Sequence, residues 1–167
     1  PHLEYANQVW SPQAKKYREM IENVQRRATK MIPGFSSLEY PDRLKKLKLP
    51  TLSYRRLRGD LIEIYKILSG KYDPDVCQDF INLRDQYLGP DAPETRGNDR
   101  RIYVENPRLD VRKYSFPHRA VHVWNDLPNC AVKAETIIDF EVSLDNYMGP
   151  QDIIYDHEAV YVRPKKD

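Results

Sequence analysis

Thirteen prolines punctuate the 167-residue chain into short elements, because a proline inside a helix removes a hydrogen bond and clashes with the preceding turn. Between the prolines, apolar side chains recur at three- and four-residue spacing, the period of helices with one buried face. Ser11 as cap and Pro12 at the first helical position open a helix that ends before Pro33-Gly34. Its expected buried stripe is Tyr17, Met20, Ile21, Val24, Ala28, Met31 and Ile32, with Lys15, Lys16, Arg18, Arg26, Arg27 and Lys30 mostly outside it. Residues 3–10 form a helical or extended lead-in. A short helix is expected over 41–47, with Leu44 and Leu47 inward and Arg43, Lys45, Lys46 and Lys48 toward water. Past Pro50, Thr51 can cap a helix that runs to Ser69 and stops at Gly70. Its stripe is Tyr54, Leu57, Leu61, Ile64 and Leu68, widened by Ile62 and Tyr65.

Residues 73–95 are acidic and hold one apolar cluster, Val76, Phe80, Ile81 and Leu83, read as a short helix followed by a loop around Gly89-Pro90-Asp91-Ala92-Pro93. Residues 100–104 and 108–114 are the only credible strands, with Asn106-Pro107 as a turn between them. Further helices are expected over 115–126, stopped by Leu127-Pro128, and over 136–148, with Ile137, Phe140, Leu144 and Tyr147 as the stripe. Residues 151–167 alternate weakly and read as a frayed tail. The expected fold is mainly α, a small helical domain with room for one short β-hairpin. Its parts are a basic helical region over 1–72, an acidic helix and loop over 73–99, a hairpin with two helices packed on the first part over 100–148, and a tail over 149–167. The helices around Tyr17–Ile32 and Tyr54–Leu68 are expected to pack together.

The longest apolar runs are a few residues, far short of the ~20 that a membrane span needs, so no membrane partner is expected. The opening Pro1-His2-Leu3-Glu4-Tyr5 is unlike a signal peptide, and the lack of an initiator Met suggests a processed chain or a piece of a longer one. Cys77 and Cys130 cannot build a disulfide framework or a four-thiolate zinc site, and they suit a reducing, intracellular setting in nucleus or cytoplasm. Residues 1–72 carry 15 Lys+Arg against 7 Asp+Glu, a charge of +8, whereas 73–167 carry 12 against 18, or −6. A basic half is what a phosphate-binding surface requires, although a solvated helix surface also reads this way.

Candidate contacts follow from that charge. Arg26, Arg27 and Lys30 lie outside the first stripe. Arg55, Arg56 and Arg58 crowd the start of a helix, where the dipole favours anions, so a bound anion there would relieve the conflict, as would full solvation. Rings stand beside cations at Tyr54-Arg55-Arg56, at Arg100-Arg101-Ile102-Tyr103 and at Arg112-Lys113-Tyr114. Single-stranded nucleic acid is held by such pairs, and tyrosines packing a core give the same pattern. Catalytic signals are weak. No Asp-Asp pair exists for two-metal chemistry, and Asp73-Pro74-Asp75 reads as a turn. His118 and His122 have half-site metal spacing but no third ligand nearby, and with Ser115 they form no nucleophile arrangement. Trp124, among Val121, Val123 and Leu127, is expected to be structural. No cofactor, metal or catalytic residue is assigned.

Several segments together resemble one family. The opening Leu3-Glu4-Tyr5-Ala6-Asn7-Gln8-Val9-Trp10-Ser11-Pro12 resembles the segment just past the palm of LINE-type, non-LTR retrotransposon reverse transcriptases, jockey-like and chicken-repeat-like elements above all. Val24-Gln25-Arg26-Arg27-Ala28-Thr29-Lys30 is similar to the helix that follows. Leu47-Lys48-Leu49-Pro50-Thr51-Leu52 leads into Arg55-Arg56-Leu57-Arg58-Gly59-Asp60-Leu61, another match. Arg108-Leu109-Asp110-Val111-Arg112-Lys113, then Arg119-Ala120-Val121 and Trp124-Asn125-Asp126-Leu127-Pro128, look like the distal motif. These span residues 3–148. The resemblance implies a thumb and post-polymerase region that grips a template–primer duplex, without the palm's carboxylates and hence without polymerase activity. It makes RNA or DNA the expected partner, with the rest of a reverse transcriptase chain or a host protein as others. The acidic second half keeps open a domesticated protein-interaction module that binds no nucleic acid. A hydrolase is disfavoured, since no convergent catalytic set is visible.

Overall fold

Thr51 Oγ1 accepts a hydrogen bond from the Tyr54 N–H at 3.1 Å and so caps the longest helix. The same hydroxyl donates to the Ile153 carbonyl at 2.7 Å, and the Thr51 N–H donates to the Ile154 carbonyl at 2.8 Å. One residue thus starts a helix and anchors the C-terminal segment, which over its described part is tied down rather than frayed.

The computed structural model describes residues 2–77, 81–89, 97–104, 106–116 and 118–164. The protein is mainly helical: α1 (Asn7–Trp10), α2 (Lys15–Lys30), α3 (Tyr40–Leu47), α4 (Leu52–Leu68), α5 (Pro74–Cys77), α6 (Arg84–Leu88), α7 (Asp110–Lys113), α8 (Val121–Asp126), α9 (Asn129–Val132) and α10 (Ile137–Met148), then a 3-10 turn at Asp152–Ile154. Two compact units result. The first takes the residues up to Arg58 and those from Pro150 onward; the second is Gly59–Gly149. The helix α4 contributes to both.

In the first unit, α2 begins at Lys15 behind an extended Ala14, past the Ser11-Pro12 start signal. Its buried side chains are Glu22, Gln25 and Thr29. The expected apolar stripe instead faces out: Tyr17 is 57 % exposed, Met20 58 %, Val24 50 % and Met31 83 %. The cause lies in what α2 packs against. The Glu22 carboxylate accepts from the Tyr40 hydroxyl at 2.6 Å and from the Leu52 N–H at 3.0 Å. Gln25 Nε2 donates to the Tyr40 hydroxyl at 3.2 Å and to the Pro50 carbonyl at 3.0 Å. Polar groups on α3 and at the head of α4 therefore draw the polar face inward, since a buried donor or acceptor left unmet costs about 1–3 kcal/mol. α2 packs on α3. Replacing Met20 or Val24 by Gln should change stability by no more than about 0.5 kcal/mol, as for surface positions. Urea denaturation checks this; a loss above about 2 kcal/mol would show the stripe to be core after all.

In the second unit the periodicity of α4 and α10 finds the core in part, with Ile137 and Tyr147 only half-buried. Leu61, Ile64 and Tyr65 of α4 are buried with Val121, Val123, Trp124, Phe140, Leu144 and Met148. Tyr65 stacks on Phe140 with ring centroids 4.4 Å apart, and Thr136 caps α10 by accepting from the Asp139 N–H at 3.1 Å. The 115–126 helix is confined to Val121–Asp126. Among the described residues no hairpin forms over 100–114: residues 110–113 are one helical turn, and Ile102 makes an isolated antiparallel bridge to Leu83. The other edge of Ile102 is met by a side chain. Asn125 Oδ1 accepts from the Ile102 N–H at 2.9 Å and Nδ2 donates to its carbonyl at 3.0 Å. An amide side chain with one acceptor and two donors can replace a strand in this way. Of the apolar cluster over 76–83, Phe80 lies outside the described residues, Val76 is 69 % exposed, and Ile81 and Leu83 are half-buried.

Candidate phosphate-binding cleft

Tyr40, the first residue of α3, organises a cleft in the first unit. Its ring is 5 % exposed. The Arg26 guanidinium carbon lies 5.1 Å from the ring centroid, the Arg43 one 5.5 Å, and the His157 ring meets it edge-on at 5.7 Å. Burial first, and then the hydrogen bond to the Glu22 carboxylate, push the Tyr40 hydroxyl well above the ordinary phenol range, so it stays a donor to Glu22. The cleft encloses about 590 Å³ and is lined by Arg26, Arg27 and Lys30 from α2, by Ser36, Ser37 and Glu39 before α3, and by Arg43 and His157. The positive end of α3 opens onto it.

Arg43 is the unexpected member. The sequence places it toward water beside three lysines, yet it is 4 % exposed. Its Nε is buried and donates to no described residue; the face of Tyr40 is what it packs on. A signal was present: Tyr40, Arg43, Leu44 and Leu47 follow the inward period of a helix. His157 was not foreseeable, because residues 151–167 have no period to place it. Its Nε2 lies 2.6 Å from Arg26 Nη2. Arginine cannot accept, so Nε2 must, and the ring proton then sits on Nδ1. That atom is also buried without a hydrogen-bond partner, its nearest carboxylate oxygen being Asp156 Oδ1 at 3.9 Å.

The other candidate residues are dispersed. Arg55 is paired with Glu4, its Nη2 at 2.6 Å from Oε2. Arg56 is 4 % exposed, with Nη2 donating to Ser53 Oγ at 3.3 Å, and Arg58 is half-buried. The anion expected at this helix start is the chain's own, Glu22 on the Leu52 N–H and Glu4 on Arg55. In the second unit, Arg100 Nη1 donates to Ser69 Oγ at 3.3 Å. Arg101 is half-buried against Gly97, where a Cβ would meet its Cδ at 2.8 Å. Arg112 and Lys113 are exposed on α7, with Lys113 Nζ 5.4 Å from the Tyr114 ring. Among the ring–cation pairs, Tyr54 is core and the half-buried Tyr103 stacks on Tyr87 at 4.1 Å, while Tyr114 stays 39 % exposed beside Lys113.

Among the described residues no group of three or more His, Cys, Asp or Glu could hold a metal ion, and no helix is long and apolar enough to cross a membrane. Ser115 Oγ lies 3.3 Å from His118 Nδ1 and donates to the Arg112 carbonyl, while His122 is exposed. No family model matches the sequence, and no curated protein or solved structure matches the chain.

Proposed function

We propose that this chain is a non-catalytic thumb and post-polymerase region of a LINE-type retrotransposon reverse transcriptase, binding RNA or DNA through the basic surface of its first half. The supporting observation is the gathering of Arg26, Arg27, Lys30 and Arg43 around one cleft in the half that carries +8. Nucleic-acid affinity of this kind is electrostatic and tolerant of sequence. The resemblance of residues 3–148 supplies the family; the cleft supplies the surface.

The test is fluorescence anisotropy with duplex, hybrid and single-stranded oligonucleotides between about 50 and 200 mM salt. Arg27 and Lys30 are exposed, so Arg27→Glu/Lys30→Glu should fold. It should bind about tenfold or more weaker at low salt, with a salt slope shallower by about two. Unchanged binding in the folded variant overturns the assignment. Absence of salt-dependent binding in the parent chain would favour the protein-interaction reading, which the −6 charge of residues 73–167 supports.

A further inference from the structure

Arg43 and His157 pose one question. A buried guanidinium N–H without an acceptor is costly, and native proteins leave few buried donors unmet. Both orphans at this cleft, Arg43 Nε and His157 Nδ1, are donors. Both lie against the same Tyr40 ring. What completes them is therefore an acceptor. With Arg26, Arg27 and Lys30 lining the cleft and Glu39 as its one lining carboxylate, the surroundings are strongly positive, so that acceptor is an anion. A carboxylate offers two oxygens and one charge. A phosphoryl group offers at least as many free oxygens and, when terminal, up to two charges, which suits several converging cations better. The volume of about 590 Å³ exceeds one phosphate and leaves room for an attached sugar; cavities of this size hold small ligands.

We propose that the cleft is a phosphate-binding site in which Arg43 and His157 hold one phosphoryl group and Arg26, Arg27 and Lys30 neutralise it. Its identification as a strand's phosphate rests on the nucleic-acid reading above; the site itself does not. Ser36 and Ser37, in the turn before α3, add hydroxyl donors at the cleft wall. Glu39 is exposed, so its carboxylate can turn to water as the anion enters.

The experiment uses the full chain and inorganic phosphate at constant ionic strength, with chloride as the balancing ion. The thermal midpoint of the parent chain should rise with phosphate and saturate, because a ligand bound only by the folded state stabilises it. Arg43→Met removes an unmet buried donor. It should fold at least as well as the parent in phosphate-free buffer and weaken the phosphate response by about tenfold or more. Lys30→Gln, at an exposed residue, provides a second folded variant with a weaker response. No phosphate effect beyond that of chloride in the parent, or an equal effect in Arg43→Met, overturns the site. An oligonucleotide with a 5′-phosphate, the same strand with a 5′-hydroxyl, and free phosphate then compete. Preference for the phosphorylated end supports a terminal phosphate as the ligand, and equal competition by both strands supports an internal diester. Saturable phosphate binding with which neither strand competes keeps the site and overturns the nucleic-acid reading. Strand binding undiminished in Arg43→Met keeps that reading and overturns the site.

Discussion

Trp124→Ala should lower the unfolding free energy by about 3–5 kcal/mol, the range for emptying a large aromatic from a core. The indole is fully buried, with its ring centroid 5.8 Å from that of Phe140. Its Nε1 donates to the Arg100 carbonyl at 2.8 Å. Its own carbonyl accepts from Asn98 Nδ2 at 2.8 Å, and Asn98 also donates to the Leu127 carbonyl at 3.2 Å. Truncation therefore opens a cavity, strands the Arg100 carbonyl and loosens the 98–102 segment. Domains of this size are stable by only about 5–15 kcal/mol, so the loss is a large share of the total. Trp124→Phe keeps most of the packing and drops one hydrogen bond, so it should cost less than half as much. Chemical denaturation followed by circular dichroism measures both. A Trp124→Ala loss under about 1 kcal/mol would mean that the site collapses to fill the space.

How much of this was legible in the sequence depends on what each helix meets. For α4 and α10 the partner is apolar, so the apolar period is the buried face: Leu61, Ile64, Phe140 and Leu144 are all buried. Thr51 and Thr136 act as the caps that their positions suggest. For α2 the partner is polar, and the same rule selects the wrong face. Glu22, Gln25 and Thr29 also follow a three–four spacing, but a polar period resembles an exposed one until its partners are known. The strand reading of 108–114 fails for a related reason. The Ile102 N–H and carbonyl are both met by the Asn125 amide, and the neighbouring Arg101 carbonyl and Tyr103 N–H by Arg84 and Asn82, so no second strand is required. Of the candidate site, Arg26, Arg27 and Lys30 were visible as unplaced charge. Arg43 was hidden among neighbouring lysines, and in the cluster at 55–58 Arg55 is met by Glu4 from far along the chain. Long-range ion pairs leave no mark in local periodicity.

Asp60→Ala should destabilise the second unit by about 3–5 kcal/mol, the cost of breaking a buried ion pair from one side. Arg119 Nε lies 2.7 Å from Asp60 Oδ2 and Nη2 2.8 Å from Oδ1, a two-pronged pair of the kind that fixes orientation as well as charge. The side chains are 3 % and 11 % exposed, and the Arg119 guanidinium carbon also stands 6.0 Å from the Phe116 ring centroid. Removing the carboxylate leaves that guanidinium buried without its two-pronged acceptor. Removing both charges does not, because well-packed apolar replacements for a buried pair are often neutral or better. Asp60→Leu/Arg119→Met should therefore lie closer to the parent than either single change, a non-additivity that a double-mutant cycle in urea reads directly. Additive losses would show that the pair contributes nothing as a pair. The pair joins residues 59 apart in sequence, one inside Arg55-Arg56-Leu57-Arg58-Gly59-Asp60-Leu61 and the other opening Arg119-Ala120-Val121. Two of the segments that carry the family resemblance thus meet through this ion pair, so neither charge can change freely without the other.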